Sequence, residues 1–170
     1  KLKIAADGSL YYSHKGALTV SGDHAYYSML PITIHADGKM DVSGHSVSDA
    51  DVAYTSSGHM NAHDLSVIGG GDFTVYTDDF LSGRNITGSA RGNIVFSGRK
   101  GVHMTPKIEI KHKDTYHYGF FSSSHTHEEW TEVTNNKFLS GGAFIIDSSQ
   151  GHVDVQGTDA MAQYIRIHSH

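Results

Sequence analysis

The sequence predicts an all-β fold, a right-handed parallel β-helix wound in coils of about 20 residues, and three observations predict it. Short alternating apolar triplets recur at a near-constant interval. A second apolar position follows each triplet at a fixed offset. Glycines and small polar residues interrupt every window in which an amphipathic helix could keep apolar positions at i, i+3, i+4 and i+7.

The triplets Ile32-Thr33-Ile34, Val52-Ala53-Tyr54, Phe73-Thr74-Val75 and Ile94-Val95-Phe96 begin 20, 21 and 21 residues apart, and eight residues after each start come Met40, Met60, Leu81 and Val102. A unit of this size is too small to bury its own apolar face and must stack on its neighbours. It has room for two short strands and the corners Asp37-Gly38, Ser57-Gly58 or Gly98-Arg99, but not for a strand plus a crossover helix, which needs about 30 residues. The pattern returns in Phe144-Ile145-Ile146, Val153-Asp154-Val155 and Ile165-Arg166-Ile167, where the offset of nine from Phe144 to Val153 predicts one extra corner residue. Leu2-Lys3-Ile4 and Leu18-Thr19-Val20 read as earlier, less regular coils. The chain is thus expected to be a single β-helix segment, 1–170.

Between Thr105 and Gly142 the period fails. The runs Ile108-Glu109-Ile110 and Thr131-Glu132-Val133 flank the aromatic segment Tyr116-His117-Tyr118-Gly119-Phe120-Phe121, so 105–142 is expected to be an excursion, a long hairpin lying along one face of the coils.

Composition narrows the function. A formal charge of −5 and a pI near 6.2 exclude the diffuse positive field of a nucleic-acid binder. The absence of cysteine excludes a disulfide framework, and no apolar run approaches the roughly 18 residues of a membrane helix. The opening Lys1-Leu2-Lys3-Ile4 has no signal-peptide apolar core, so any export signal is expected elsewhere in the parent protein.

Tyr118-Gly119-Phe120-Phe121-Ser122-Ser123-Ser124, followed by Leu139-Ser140-Gly141-Gly142-Ala143-Phe144-Ile145-Ile146 and Gly151-His152-Val153-Asp154-Val155-Gln156-Gly157-Thr158, resembles the stalk repeats of filamentous haemagglutinins and contact-dependent growth inhibition effectors. The likeness is close over 116–163. It departs at His152, where the family commonly has Asp, and in the histidine-rich character of the insert. The resemblance implies a right-handed parallel β-helix in the shaft of a long exoprotein exported by two-partner secretion, located in the medium or on the bacterial surface. Its partners would be neighbouring coils of the same chain, an outer-membrane secretion partner, and a receptor or glycan on another cell. The expected function is a stalk segment projecting a distal binding or toxic domain. The alternatives are a receptor- or glycan-binding module and a carbohydrate-active β-helix enzyme.

No enzyme and no cofactor is expected, because the carboxylates are poorly placed for acid–base work on a glycosidic bond: Asp78 and Asp79 are adjacent, and Asp147 and Asp154 fall at corners or outward positions. Gly69-Gly70-Gly71-Asp72 lacks the Lys-Ser/Thr of a phosphate loop and reads as a coil corner where glycine allows positive φ. The sequon Asn85-Ile86-Thr87 reads as accidental in a bacterial chain. The sharpest cluster is His125-Thr126-His127-Glu128-Glu129-Trp130, with His112 and His117 upstream. In a strand, His125, His127 and Glu129 share one face, which suits a two-histidine, one-carboxylate metal set. The competing reading is a solvated edge beside a packed Trp130. Tyr116, Tyr118, Phe120, Phe121 and Trp130 are the candidate partner-contact residues. Finally, 14 histidines would move the formal charge from −5 to +9 on full protonation. Stacking of like residues would then set charged histidines against each other and lower stability below about pH 6.

Overall fold

The computed structural model describes residues 2–6, 10–20, 24–119 and 123–170. It is a parallel β-solenoid of about 7 turns with about 21 residues per turn. In chain order the strands are β1 (Leu2–Ala6), β2 (Leu10–His14), β3 (Leu18–Val20), β4 (His24–Ser28), β5 (Ile32–Ala36), β6 (Met40–Ser48), β7 (Val52–Ser56), β8 (Met60–Gly69), β9 (Phe73–Thr77), β10 (Phe80–Ala90), β11 (Ile94–Gly98) and β12 (Gly101–Thr105). There follow β13 (Lys107–Tyr118), β14 (Ser123–Thr134), β15 (Asn136–Ser140), β16 (Ala143–Asp147), β17 (Val153–Val155), β18 (Thr158–Met161) and β19 (Tyr164–His168).

The apolar triplets build one parallel sheet, ordered β2-β5-β7-β9-β11-β16-β19, with Ile32, Val52, Phe73, Ile94, Phe144 and Ile165 in one column and Ile34, Tyr54, Val75, Phe96, Ile146 and Ile167 in the next. The second sheet is bent. In β8 and β10 inward positions alternate normally up to Ala62 and Gly83, then two consecutive residues turn outward, and burial resumes at Leu65 and Ile86. The residues at the bend, Asp64 and Asn85, have φ of +48° and +54°. Aspartate and asparagine tolerate this left-handed region better than other residues with a Cβ. The coil that includes β6 has only Ser43 where the next has His63 and Asp64, which is why its repeat measures 20 residues and not 21.

The core is one continuous column stack along the axis. Phe73, Phe96, Phe138 and Phe144 pack ring against ring at its centre, with centroids 4.9 Å apart for Phe138–Phe144 and 5.6 Å for Phe73–Phe96. Small residues balance them: a Cβ on Gly88 would meet the Phe73 ring, and one on Gly83 would meet the Met104 sulfur. Such shape-matching is what interiors at crystal-like packing density demand.

The period break is an insertion of defined size. Thr105 pairs with Arg84, and Asn136 returns to the Ile86 position, so residues 106–135 stand where Asn85 stands alone. Ile94 and its partner Phe144 are 50 residues apart, and subtracting the 29 extra residues restores 21. The excursion is therefore shorter than the expected 105–142: β15 already belongs to the coil, and Gly141-Gly142 is an ordinary corner. The extra residue expected between Phe144 and Val153 is present, since Ile94↔Phe144 and Val102↔Val153 are both in register.

The corner glycines work differently from the sequence expectation. Gly70 and Gly71 are not among the residues with positive φ. They are glycine because the coil beneath fills the space a Cβ would take, the Asp49 backbone under Gly70 and the Asp51 carboxylate under Gly71. That carboxylate accepts the Asp72 N–H at 2.7 Å, Asp72 accepts the Asn93 N–H at 2.7 Å, and Asn93 accepts the Ala143 N–H at 2.9 Å. A ladder of side-chain acceptors thus satisfies one corner amide per coil.

Candidate functional site

The insert is an antiparallel hairpin of β13 and β14, twelve residues each, in continuous register from Lys107↔Thr134 to Tyr118↔Ser123. It leaves the solenoid at the bend of the second sheet. At its root Pro106 packs under Gly157, whose φ of +53° and absent side chain admit the proline ring. Asn136 closes the gap: its Oδ1 accepts the Ile86 N–H at 2.8 Å and its Nδ2 donates to the Thr105 carbonyl at 3.0 Å. The side chain is fully buried and replaces the continuous backbone that Asn85 provides one coil earlier.

The hairpin does not lie along the coils. The described side chains of β14 are exposed throughout, and Ile108, Ile110 and Val133 keep 55–63% of their surface in solvent. Among the described residues of β13 and β14, Lys107 reaches back to the coils, its ammonium ending 3.9 Å from Asp64. Charged and hydroxyl side chains dominate the described part of the hairpin, and its apolar residues, Ile108, Ile110 and Val133 on one face and Trp130 on the other, stay exposed.

Cross-strand pairing sorts its residues onto two faces. One carries Lys111 with Glu132 and Trp130, and Lys113 opposite Glu128. The other carries Ile108, Ile110 and Val133 near the root, and beyond them His112, Asp114, Tyr116, His125, His127 and Glu129. The predicted set His125, His127 and Glu129 does share a face. The facing strand, however, divides it. His125 Nε2 lies 3.4 Å from Asp114 Oδ1 and its ring stacks on Tyr116 at 4.4 Å, whereas His127 and Glu129 converge with His112. One ligand atom from each of His112, His127 and Glu129 lies within 4.8 Å of the others, and His112 Nδ1 is 3.1 Å from Glu129 Oε1. Among the described residues this is the group placed to hold a metal. His112 was visible in the sequence as an upstream histidine; its partnership depends on the hairpin register, which no local spacing reveals.

Asp114 backs the cluster, its Oδ1 accepting from His127 Nδ1. Its carboxyl is held below the usual range, first by the His127 hydrogen bond; burial opposes this, and the charge of the same ring together with His125 adds to the lowering.

The expected aromatic contact patch is not a single surface. Tyr116 faces the histidines, Trp130 stands on the opposite face across from Lys111, and Trp130 is 44% exposed, not packed. Tyr118 closes β13 opposite Ser123, while Phe120 and Phe121 lie outside the described residues.

Three of the four carboxylates weighed for catalysis have structural partners. Asp78 accepts from the Tyr76 hydroxyl, Asp79 pairs with Lys100 at 3.5 Å, and Asp154 pairs with His103 at 3.0 Å. The sequon residue Asn85 donates to Asp64 at 2.6 Å. Nor do the histidines form ladders in the described registers: His35 stacks on Thr55, His45 on Ser66, His63 on Arg84 and His103 on Asp154. Three of these four, His35, His63 and His103, meet carboxylates instead. His63 lies 2.6 Å from Asp41 and 3.2 Å from Asp64, so protonation creates attraction where the sequence had predicted repulsion.

Comparison with protein-family models, with curated proteins and with solved structures returned no match.

Proposed function

We propose that this chain is a shaft segment of a secreted bacterial surface filament, an adhesin or contact-dependent inhibition effector, and that it acts as a rigid spacer and not as an enzyme. The observation that carries the reading is the unbroken stacking: the triplet sheet runs in one register from Leu10 to His168, and the insertion of thirty residues leaves it undisturbed. Successive coils rise by about 4.8 Å, so length is set by coil number alone. The stalk-repeat motifs in 116–163 support the same reading and point to the two-partner secretion family.

A second reading rests on the hairpin. It stands clear of the coils and presents Trp130, Tyr116 and an ionic face to solvent, which suits contact with a receptor or glycan. Replacing residues 106–135 by a single asparagine, as at Asn85, separates the two. A spacer keeps its far-UV spectrum, its melting temperature within a few degrees, and its behaviour towards cells. Saturable cell binding by the intact chain that vanishes with the hairpin would transfer the function to the hairpin. Turnover on a polysaccharide panel would overturn both readings.

A further inference from the structure

We propose that the projecting hairpin is a binding site for a late first-row divalent transition ion, with His112, His127 and Glu129 as ligands and Asp114 as the group that orients His127. The site is independent of whether the solenoid is a shaft.

The geometry supplies what such an ion requires. Two imidazoles and one carboxylate suit zinc, nickel or copper, whose preferences run to nitrogen with oxygen in support. The three donors come from two strands locked in register, His112 directly opposite Glu129 and His127 one inward-facing pair further out, opposite Asp114. A tetrahedral site with bonds near 2.1 Å places its ligand atoms roughly 3.4 Å apart. The donors already lie within 4.8 Å, and as exposed side chains they close the remaining distance by rotation about χ1 and χ2. The His112 and His127 rings are 5.5 Å apart with an angle of 31° between their planes.

Asp114 is the second, separate observation. Its carboxylate accepts from Nδ1 of His127, which fixes that nitrogen as the proton-bearing one and leaves Nε2 free to coordinate. A carboxylate behind a ligating histidine is the usual outer-shell device for orienting the ring and raising its basicity. The carboxylate also anchors His125, so Asp114 holds two rings of the cluster at once. Three protein donors on an exposed face leave at least one coordination position open to water or to a donor from a binding partner. Bound metal would cross-link β13 to β14 and stiffen a hairpin that has little support beyond its root. Coordination needs neutral imidazole, so acidification opposes binding.

The test is calorimetric titration of the intact chain with Zn²⁺ at pH 7.5, on H112Q, H127Q, E129Q, D114N and, as a control on the opposite face, H117Q. The expected result is one ion per chain, affinity reduced at least tenfold in each ligand variant, about tenfold in D114N, and unchanged in H117Q. Far-UV spectra recorded in EDTA verify that each variant is folded, and electron spin resonance of the Cu²⁺ form should show two nitrogen ligands in the wild type and one in H127Q. Absence of saturable one-to-one binding overturns the proposal. So does an H112Q/H127Q double variant that binds as the wild type does, because the ion would then reside on other histidines.

Discussion

Asn136 provides the sharpest test of how the solenoid survives its insertion. It stands in the column of Leu65 and Ile86, both fully buried, so column logic alone would favour leucine there. The structure predicts the reverse for Asn136→Leu. The substitution removes the acceptor of the Ile86 N–H and the donor to the Thr105 carbonyl, two backbone groups that lie where the chain departs into the hairpin. Each group left without a partner costs about 1–3 kcal/mol when buried, while the added apolar surface returns about 1–2 kcal/mol. The net expectation is a loss of about 1–4 kcal/mol, which at about 2–4 °C of melting temperature per kcal/mol for a chain of this size is roughly 2–16 °C. Thermal melts followed by far-UV circular dichroism at pH 7.5 measure it. An Asn136→Leu chain as stable as the wild type would refute the claim that this side chain substitutes for the missing backbone.

Acidification should not weaken the fold in the way simple histidine repulsion implies. Burial alone would lower the His63 pKa, but hydrogen bonds and charge from Asp64 and Asp41 outweigh it and raise it, so its stabilising effect is complete below about 6.5 and fades as pH rises through the raised value. The Asp64 pKa is lowered, first by the Asn85 hydrogen bond, so its share is complete above about 4 and lost on further acidification. Melting temperature should therefore be no lower at pH 5.5 than at pH 8, and His63→Gln should flatten the difference; a wild-type decline across that range contradicts this. Gly70→Ala should destabilise by about 1–3 kcal/mol, because its Cβ would sit 2.5 Å from the Asp49 carbonyl carbon and only backbone movement could relieve it. A neutral result in chemical denaturation would show that the corner has slack.

The triplet sheet was readable in the sequence because its inward residues are large and strictly alternating, and the triplets that begin at Ile32, Val52, Phe73, Ile94, Phe144 and Ile165 proved to be strands in one register. The far half of the bent sheet was not, because Ser46, Gly88, Ala90 and Ser140, which carry no hydrophobic signal, interrupt the inward columns that also hold Val67 and Phe138. For the same reason the end of the excursion was placed seven residues late, at 142 and not 135: β15 opens with Asn136 and Lys137, which look like loop. The 50-residue interval between Ile94 and Phe144 held the answer, since it exceeds one coil by the length of the insertion. The acceptor ladder was also present as the Asp or Asn directly before Val52, Phe73 and Ile94. The metal cluster was half legible. Period two placed His127 with Glu129, but only cross-strand register brings in His112 and Asp114.

The thirty-for-one exchange at Asn85 has a mechanical consequence. The hydrogen bonds that join one coil of the bent sheet to the next run, at this level, through β10, β12, β15 and the Asn136 amide. The hairpin is attached beside that route, not within it. A change in the length of an appendage at this bend therefore leaves the coil-to-coil bonding of the solenoid as it is.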